Sequence, residues 1–165
     1  MLKKYRKLIS LIPIVLLTFY IGMRLEMDYR ILTRKLIKNL ANYELEFYGG
    51  KEFRLFATHI AFILTLIPIG FYWTARKLNS LKDFLFLLLI YLILTPLFYL
   101  FYCFLESIYL NIIITQPKMD GEIIKFHYDN VNYKMILGLT IFSTFFGGII
   151  LNKFIDKLKN RTHTE

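Results

Sequence analysis

Apolar residues are gathered into four long stretches, which polar segments separate along the chain. The stretches hold 16, 19, 21 and 18 residues. An α-helix needs roughly 20 residues to cross the hydrocarbon core of a bilayer, at about 1.5 Å per residue. The pattern therefore predicts an all-α integral membrane protein, a four-transmembrane-helix bundle in a single domain over residues 1–165. Its spans are residues 8–23, 56–74, 84–104 and 135–152.

The first stretch needs a separate test, because the basic start KKYRK followed by an apolar run is typical of a secretory signal. A signal peptide ends in a small-x-small cleavage pattern. Here the run ends in TFYIGM, which has no such pattern. We therefore interpret residues 8–23 as an uncleaved span.

The polar segments 24–55 and 105–134 change the period of the pattern. The first begins with Met27, Ile31, Leu36 and Leu40 near one side of a helix, which predicts an amphipathic helix on the outer membrane surface. It continues as YELEFY, a Gly-Gly pair and KEFRLF, whose alternation predicts a β-hairpin. The second runs from LNIIIT through the turn PKMDG to the return strand EIIKFHY. We expect the two hairpins to pair into a small sheet outside the membrane.

Charge predicts which side of the membrane each segment faces. Hydrophobic residues make up 56% of the chain, its mean hydropathy is +0.48 and its formal net charge is +9. The N-terminus, the connection after the second span and the tail together hold 11 of the 21 basic residues, with few acids. Because basic residues concentrate in cytoplasmic segments, both termini are predicted inside and segments 24–55 and 105–134 outside. The positive charge thus reflects topology, and lipids rather than nucleic acid are the expected partners.

The fourth span carries small residues at a spacing that favours close helix packing. Thr140, Thr144 and Gly148 recur every four residues. Such residues let helix backbones approach each other where lipid supplies no hydrophobic driving force. The seam packs either within the bundle, which we favour, or against a partner such as a toxin helix or a second copy of the chain.

Residues suited to chemistry are few. His59 lies near the outer end of the second span, and Glu106 follows the third span closely. A lone histidine near a span, such as His59, more often forms a hydrogen bond with a neighbouring helix than with a ligand. A carboxylate beside the membrane, such as that of Glu106, can reach water, so a structural or recognition role is favoured over a catalytic one. The single cysteine, Cys103, excludes an intrachain disulfide. No metal-ligand spacing, paired carboxylates or phosphate loop is found. We therefore expect no cofactor, no metal and no enzymatic activity.

Three short motifs resemble a known family. The stretch THIAFILTLIPIGFYWTARKLN is similar to the second span and basic inner turn of immunity proteins against pore-forming colicins of the A and B type. The early LIP of ISLIPIVLL resembles their first span. Their second exported loop has a Leu-Thr strand, a turn with Gly, a basic residue and then an Asn. Ile114, Thr115, Gly121, Lys125 and Asn130 follow that order here.

The resemblance implies a four-span protein of the bacterial inner membrane, with both termini in the cytoplasm. It implies that the chain binds the pore-forming domain of a bacteriocin stoichiometrically and keeps the channel closed. The partner-binding candidates are Thr115, Asp120, Gly121 and Lys125 in the second exported loop and Thr140, Thr144 and Gly148 in the seam. Two alternatives remain open: an accessory subunit of a larger membrane complex, and a small oligomeric channel or carrier that uses His59 and Glu106.

Overall fold

Helices form most of the chain in the computed structural model, which describes residues 11–41, 45–49, 59–75, 81–113 and 124–162. A 3₁₀ turn at Tyr128–Asn130 precedes the last helix. The other elements are α1 (Leu11–Leu40), β1 (Leu45–Tyr48), α2 (His59–Leu64), α3 (Leu66–Ala75), α4 (Leu81–Ile113), β2 (Ile124–His127) and α5 (Tyr133–Thr162).

Two of the described helices are long and apolar enough to cross a membrane. They are Lys82–Ile112 within α4 and Tyr133–Lys153 within α5, and they contain the predicted spans 84–104 and 135–152. The stretch His59–Thr74, in α2 and α3, is apolar but shorter. In the most apolar part of α4 only 17% of the residues are buried, and in that of α5 33%. Both helices thus present much of their apolar surface outward.

Helix α1 joins two predicted elements into one. The span at 8–23 and the separate surface helix were expected to be distinct, but residues 11–40 form a single continuous helix. Its buried positions are Gly22, Glu26, Thr33 and Ile37, whereas Met27 and Ile31 are each 40% exposed. A carboxylate and a hydroxyl thus lie on the side of α1 that packs against the protein, whereas Met27 and Ile31 face outward, and their predicted contact with the membrane surface stays a prediction.

The second apolar stretch is interrupted at Thr65. Proline has no N–H to donate, so Pro68 leaves the carbonyl of Leu64 without its helical partner. The amide of Thr65 donates to the carbonyls of Ala61, at 3.2 Å, and Phe62, at 3.1 Å. Its hydroxyl donates to the carbonyl of Phe62 at 2.6 Å. These bonds close the last turn of α2 before α3 begins.

Helix α4 extends nine residues beyond the predicted span. Residues 105–113, assigned from the sequence to an exported loop, continue the helix to Ile113. The run LNII at 110–113 is therefore helical, and the prediction that it starts a hairpin is wrong. The predicted turn PKMDG, which includes Asp120 and Gly121, lies outside the described residues.

The two strands pair directly with each other. β1 and β2 form a parallel two-stranded sheet in which Leu45, Glu46, Phe47 and Tyr48 lie opposite Ile124, Lys125, Phe126 and His127. Gly49 ends β1 with a φ of +80°, a conformation that glycine adopts without steric cost. The expected association of the two loops is thus present for these strands, which pair in parallel. The return strand KEFRLF of the first predicted hairpin lies outside the described residues.

The helices pack closely at glycines and around one main core. α4 packs on α5 and α1, and α1 also packs on α2. A Cβ on Gly22 would lie 2.9 Å from the Cα of Ala61, so α1 and α2 touch through their backbones. The main core brings together residues of α1, α2, α4, α5 and both strands, and it includes the buried Cys103.

Candidate functional site

Polar side chains, several of them buried, lie where α1, α4 and the start of α5 meet. This junction cluster consists of Glu26, Tyr29, Arg30, Thr33, Tyr99, Glu106, Asn132 and Tyr133. Of these, Glu26 is 6% exposed and Glu106 is 8% exposed. A buried polar group is costly unless it is hydrogen-bonded or paired. The bonds within the cluster therefore decide whether it is structural or available to a ligand.

The first bonded group joins α1 to α5 through Arg30. The Arg30 guanidinium donates from Nε and Nη2 to Oε1 of Glu26, at 3.1 and 2.7 Å. The same guanidinium lies over the ring of Tyr133, 4.9 Å from its centre. A cation over an aromatic face is stabilised by the ring quadrupole, and more strongly when water is excluded. Arg30 is thus compensated by a carboxylate and a ring.

The second group is a chain of hydroxyls between α1 and α4. Thr33 Oγ1 donates to the carbonyl of Tyr29 at 2.8 Å and lies 2.8 Å from the Tyr99 hydroxyl. Because Thr33 has one hydroxyl proton, Tyr99 must be the donor in the second bond. The Tyr29 hydroxyl donates to the carbonyl of Tyr133 at 2.9 Å. Burial, reinforced by the nearby Tyr99, raises the pKa of Tyr29, so this phenol keeps the proton that it donates.

The third group fixes the start of α5. Glu106 Oε1 accepts a hydrogen bond from the backbone amide of Asn132 at 2.8 Å. Asn132 in turn caps the helix, because its Oδ1 accepts from the amide of Met135 at 3.2 Å. A carboxylate beside a helix N-terminus is also stabilised by the helix dipole. Glu106 therefore orients α5, as expected of a structural carboxylate.

The sheet presents a second polar surface, which is more accessible. Leu45 and Phe126 face the core, whereas Glu46, Tyr48, Lys125 and His127 form the sheet face, which is exposed or half-buried. The rings of Tyr48 and His127 meet edge to face, 5.5 Å between centres. His127 Nδ1 accepts from the amide of Asp129 at 3.3 Å. Lys125, a predicted partner-binding residue, therefore lies in an ordered surface beside Glu46.

The other predicted partner-binding residues are not on this surface. Thr115, Asp120 and Gly121 lie outside the described residues. Thr140, Thr144 and Gly148 are buried. Gly148 packs directly against the Tyr91 ring of α4, and Thr140 Oγ1 donates to the carbonyl of Ile136 at 2.7 Å. This placement corresponds to the internal interpretation of the seam. A partner could not reach the three residues in this arrangement.

Three other polar side chains belong to the predicted second and third spans. Tyr99 and Tyr102 point inward from α4, where Tyr102 bonds Ser143 at 2.7 Å. His59 lies exposed at the start of α2. Sequence reasoning did not single out Tyr29 and Thr33. Their spacing of four residues, shared with Glu26 and Arg30, was the available signal.

The bonded geometry of the junction cluster suits support rather than chemistry. Its carboxylates each accept bonds from a fixed donor. The hydroxyls of Tyr29, Thr33 and Tyr99 bond one another or backbone carbonyls. Among the described residues, no group of three His, Cys, Asp or Glu side chains could hold a metal ion. The sheet face is therefore the polar surface that is accessible to a binding partner.

Known proteins provide no further guide to the site. The chain matches no family profile, no curated protein and no solved structure in the comparisons made.

Proposed function

We propose that this chain is an inner-membrane immunity protein, which binds the pore-forming domain of a bacteriocin and keeps its channel closed. The proposal combines the family resemblance of the sequence motifs with the architecture of the described residues. The proposed topology has four spans, with both termini in the cytoplasm. Two of the spans lie in α4 and α5, which are long enough to cross a membrane. The protein acts by occupancy, so it needs no catalytic group.

The apolar exterior of the bundle, with polar groups buried inside it, carries the membrane part of the proposal. The buried set includes Glu26, Thr33, Glu106 and Thr140, whereas the exposed set includes leucines, isoleucines and phenylalanines along α4 and α5. In water the exposed apolar surface would be unfavourable at about 25 cal/mol per Å². In a bilayer that surface faces acyl chains, and the polar groups are satisfied inside the bundle.

The sheet face supports the recognition part of the proposal. Glu46 and Lys125 are exposed neighbours of opposite charge, and Tyr48 and His127 supply aromatic contacts beside them. Charged groups at the rim of an interface discriminate between partners and influence the association rate. Because the seam residues are buried, the sheet face replaces them as the surface expected to contact the toxin.

The test is protection of toxin-sensitive cells that express the chain. Cells are challenged with a panel of pore-forming bacteriocins, and survival and potassium retention are measured together. Selective protection against one toxin, with toxin uptake unchanged, is the expected result. Absence of protection across the panel, despite verified insertion of the protein, would contradict the proposal and favour an accessory subunit of a membrane complex.

Charge exchange on the sheet face tests where recognition occurs. The double substitution Glu46→Lys with Lys125→Glu keeps opposite charges side by side but reverses their order. We expect it to lower the highest toxin concentration that the cells survive by roughly tenfold. That factor corresponds to a loss of about 1.4 kcal/mol of binding free energy. Lys38→Glu, an exposed change on α1, is the matched control and should retain protection. Equal effects of both variants would contradict a recognition role for the sheet face.

A further inference from the structure

The exposed apolar surface of α4 continues past the end of its predicted span. Leu105, Ile108, Tyr109 and Ile112 are all exposed, and they form the outer stripe of α4. Their spacing of three and four residues places them on one side of the helix. Cys103, Glu106 and Leu110 are buried on the other side, towards α1 and α5. The outer stripe is therefore an outward-facing continuation of the apolar surface that begins at Leu85.

This surface is too long for a helix that stands upright in a bilayer. From Leu85 to Ile112 the helix rises about 40 Å at 1.5 Å per residue, whereas the hydrocarbon core is about 30 Å thick. A tilt of about 40° brings the whole stretch into the core, since the cosine of the angle must be about 0.75. Transmembrane helices tilt over a range of about 0–40°. The required angle is at the upper end of that range.

The tyrosines of α4 give a second reason to move the outer boundary outward. Tyr99 and Tyr102 bond Thr33 and Ser143 inside the bundle, so they cannot mark the membrane interface. Tyr109 is exposed, and tyrosine is enriched where a bilayer meets water. The boundary on this side of the molecule therefore lies near Tyr109 and Ile112 rather than near Phe104.

Charge on α1 indicates the direction of the tilt. α1 packs on the buried side of α4, away from the outer stripe, and its exposed residues include Arg24, Lys35 and Lys38. Tilting the bundle towards the outer stripe submerges that stripe and raises the outer part of α1. The charged side chains then reach water or lipid headgroups, which favour them.

We propose that α4 crosses the bilayer at a tilt of about 40°, so that its outer stripe rests in the acyl-chain region of the outer leaflet. The partner of the stripe is thus lipid, because the stripe is continuous with the surface of α4 that faces lipid. This inference rests on the membrane insertion in the proposed function but not on toxin binding. It also places the sheet beside the membrane surface, where an inserting toxin arrives.

Quenching of tryptophan fluorescence by brominated lipids tests the depth of the stripe. Trp73 is the only tryptophan, so Trp73→Phe gives a background into which single tryptophans are placed. Ile112→Trp and Ile108→Trp report on the stripe. Leu92→Trp reports on the exposed face of α4 within its predicted span, and Lys125→Trp reports on the sheet face. The full-length protein is reconstituted into phosphatidylcholine vesicles with acyl chains brominated near the carbonyl or near mid-chain.

Quenching at positions 108 and 112 by lipid brominated near the carbonyl is the expected result. It should reach at least roughly half of the mid-chain quenching of Leu92→Trp, with little quenching of Lys125→Trp. Unquenched, red-shifted emission at both stripe positions would place them in water. Unquenched, blue-shifted emission would place them under protein, such as a second copy of the chain. Either result overturns the tilt while leaving toxin capture intact. Failure to quench Leu92→Trp would overturn membrane insertion, and both proposals with it.

Discussion

Gly148 is the position where one added methyl group should disturb the bundle most clearly. A Cβ there would overlap Cε1 of Tyr91 and lie 3.0 Å from its Cδ1. The ring cannot turn aside easily, because Phe71 and Phe145 pack against it with their edges, at 5.9 and 5.1 Å between centres. Gly148→Ala therefore forces the ring or α5 to move.

Gly138→Ala provides the matched control in the same helix. A Cβ on Gly138 meets nothing within 4 Å. Both substitutions gain the same helix propensity, about 1 kcal/mol, so their difference isolates the clash. Overpacking typically costs about 1–3 kcal/mol. For a chain of this size each kcal/mol corresponds to roughly 2–4 °C, so Gly148→Ala should unfold about 2–12 °C below Gly138→Ala.

The single buried cysteine supplies the assay. A thiol-reactive fluorophore added to protein in detergent micelles labels Cys103 only as the core opens, so fluorescence against temperature reports unfolding. Equal midpoints for the two alanine variants would refute the close contact between α4 and α5. As a further check, Tyr91→Ala should remove most of the penalty of Gly148→Ala, because contacting residues couple in double-mutant cycles.

Three further predictions use the same unfolding measurement. Glu106→Ala should cost about 1–3 kcal/mol, because the amide that starts α5 loses its acceptor; an unchanged midpoint would contradict the anchoring role. Thr33→Val should destabilise the fold by a similar amount, because the Tyr99 hydroxyl loses its acceptor. Thr144→Val should be neutral or stabilising, because the buried Thr144 hydroxyl has no partner among the described residues. A larger loss of stability for Thr144→Val than for Thr33→Val would contradict these hydrogen bonds. Tyr29 has a raised pKa in the folded state, so its stabilisation is complete below an unfolded pKa of about 10 and declines as pH rises further. Tyr29→Phe should therefore lose less stability than the parent above about pH 10, and equal losses would contradict the argument.

Long apolar runs made α4 and α5 predictable. Their sequences leave few alternatives to a helix of membrane length, although both helices extend past the predicted spans, α4 to Ile113 and α5 to Thr162. The error at the end of α4 arose because the run LNIIIT, which begins at Leu110, is rich in β-branched residues and resembles a strand. The available counter-signal was the absence of Gly or Pro between Leu97 and Ile113, so that nothing in the sequence ends the helix. A continuous apolar helix was the simpler interpretation.

The junction cluster could not be predicted from hydrophobic periodicity. That method assumes that buried positions are apolar, but α1 buries Glu26 and Thr33 and exposes Met27 and Ile31. In a bundle whose exterior is apolar, polar groups are satisfied by one another inside, which reverses the expected face. The parallel sheet was hidden for a different reason. No local signal in YELEFY specifies a partner strand so far along the chain.

That long separation also has a consequence for synthesis. Leu45 and its partner Ile124 are about 79 residues apart in the chain. At about 5–20 residues per second, β1 leaves the ribosome roughly 4–16 s before β2 exists. During that interval its backbone amides and carbonyls have no β2 to pair with, although α4 is completed before β2 is made. The last two elements of the nascent chain, β2 and α5, therefore complete both the sheet and the core, and a stalled or truncated chain would lack both.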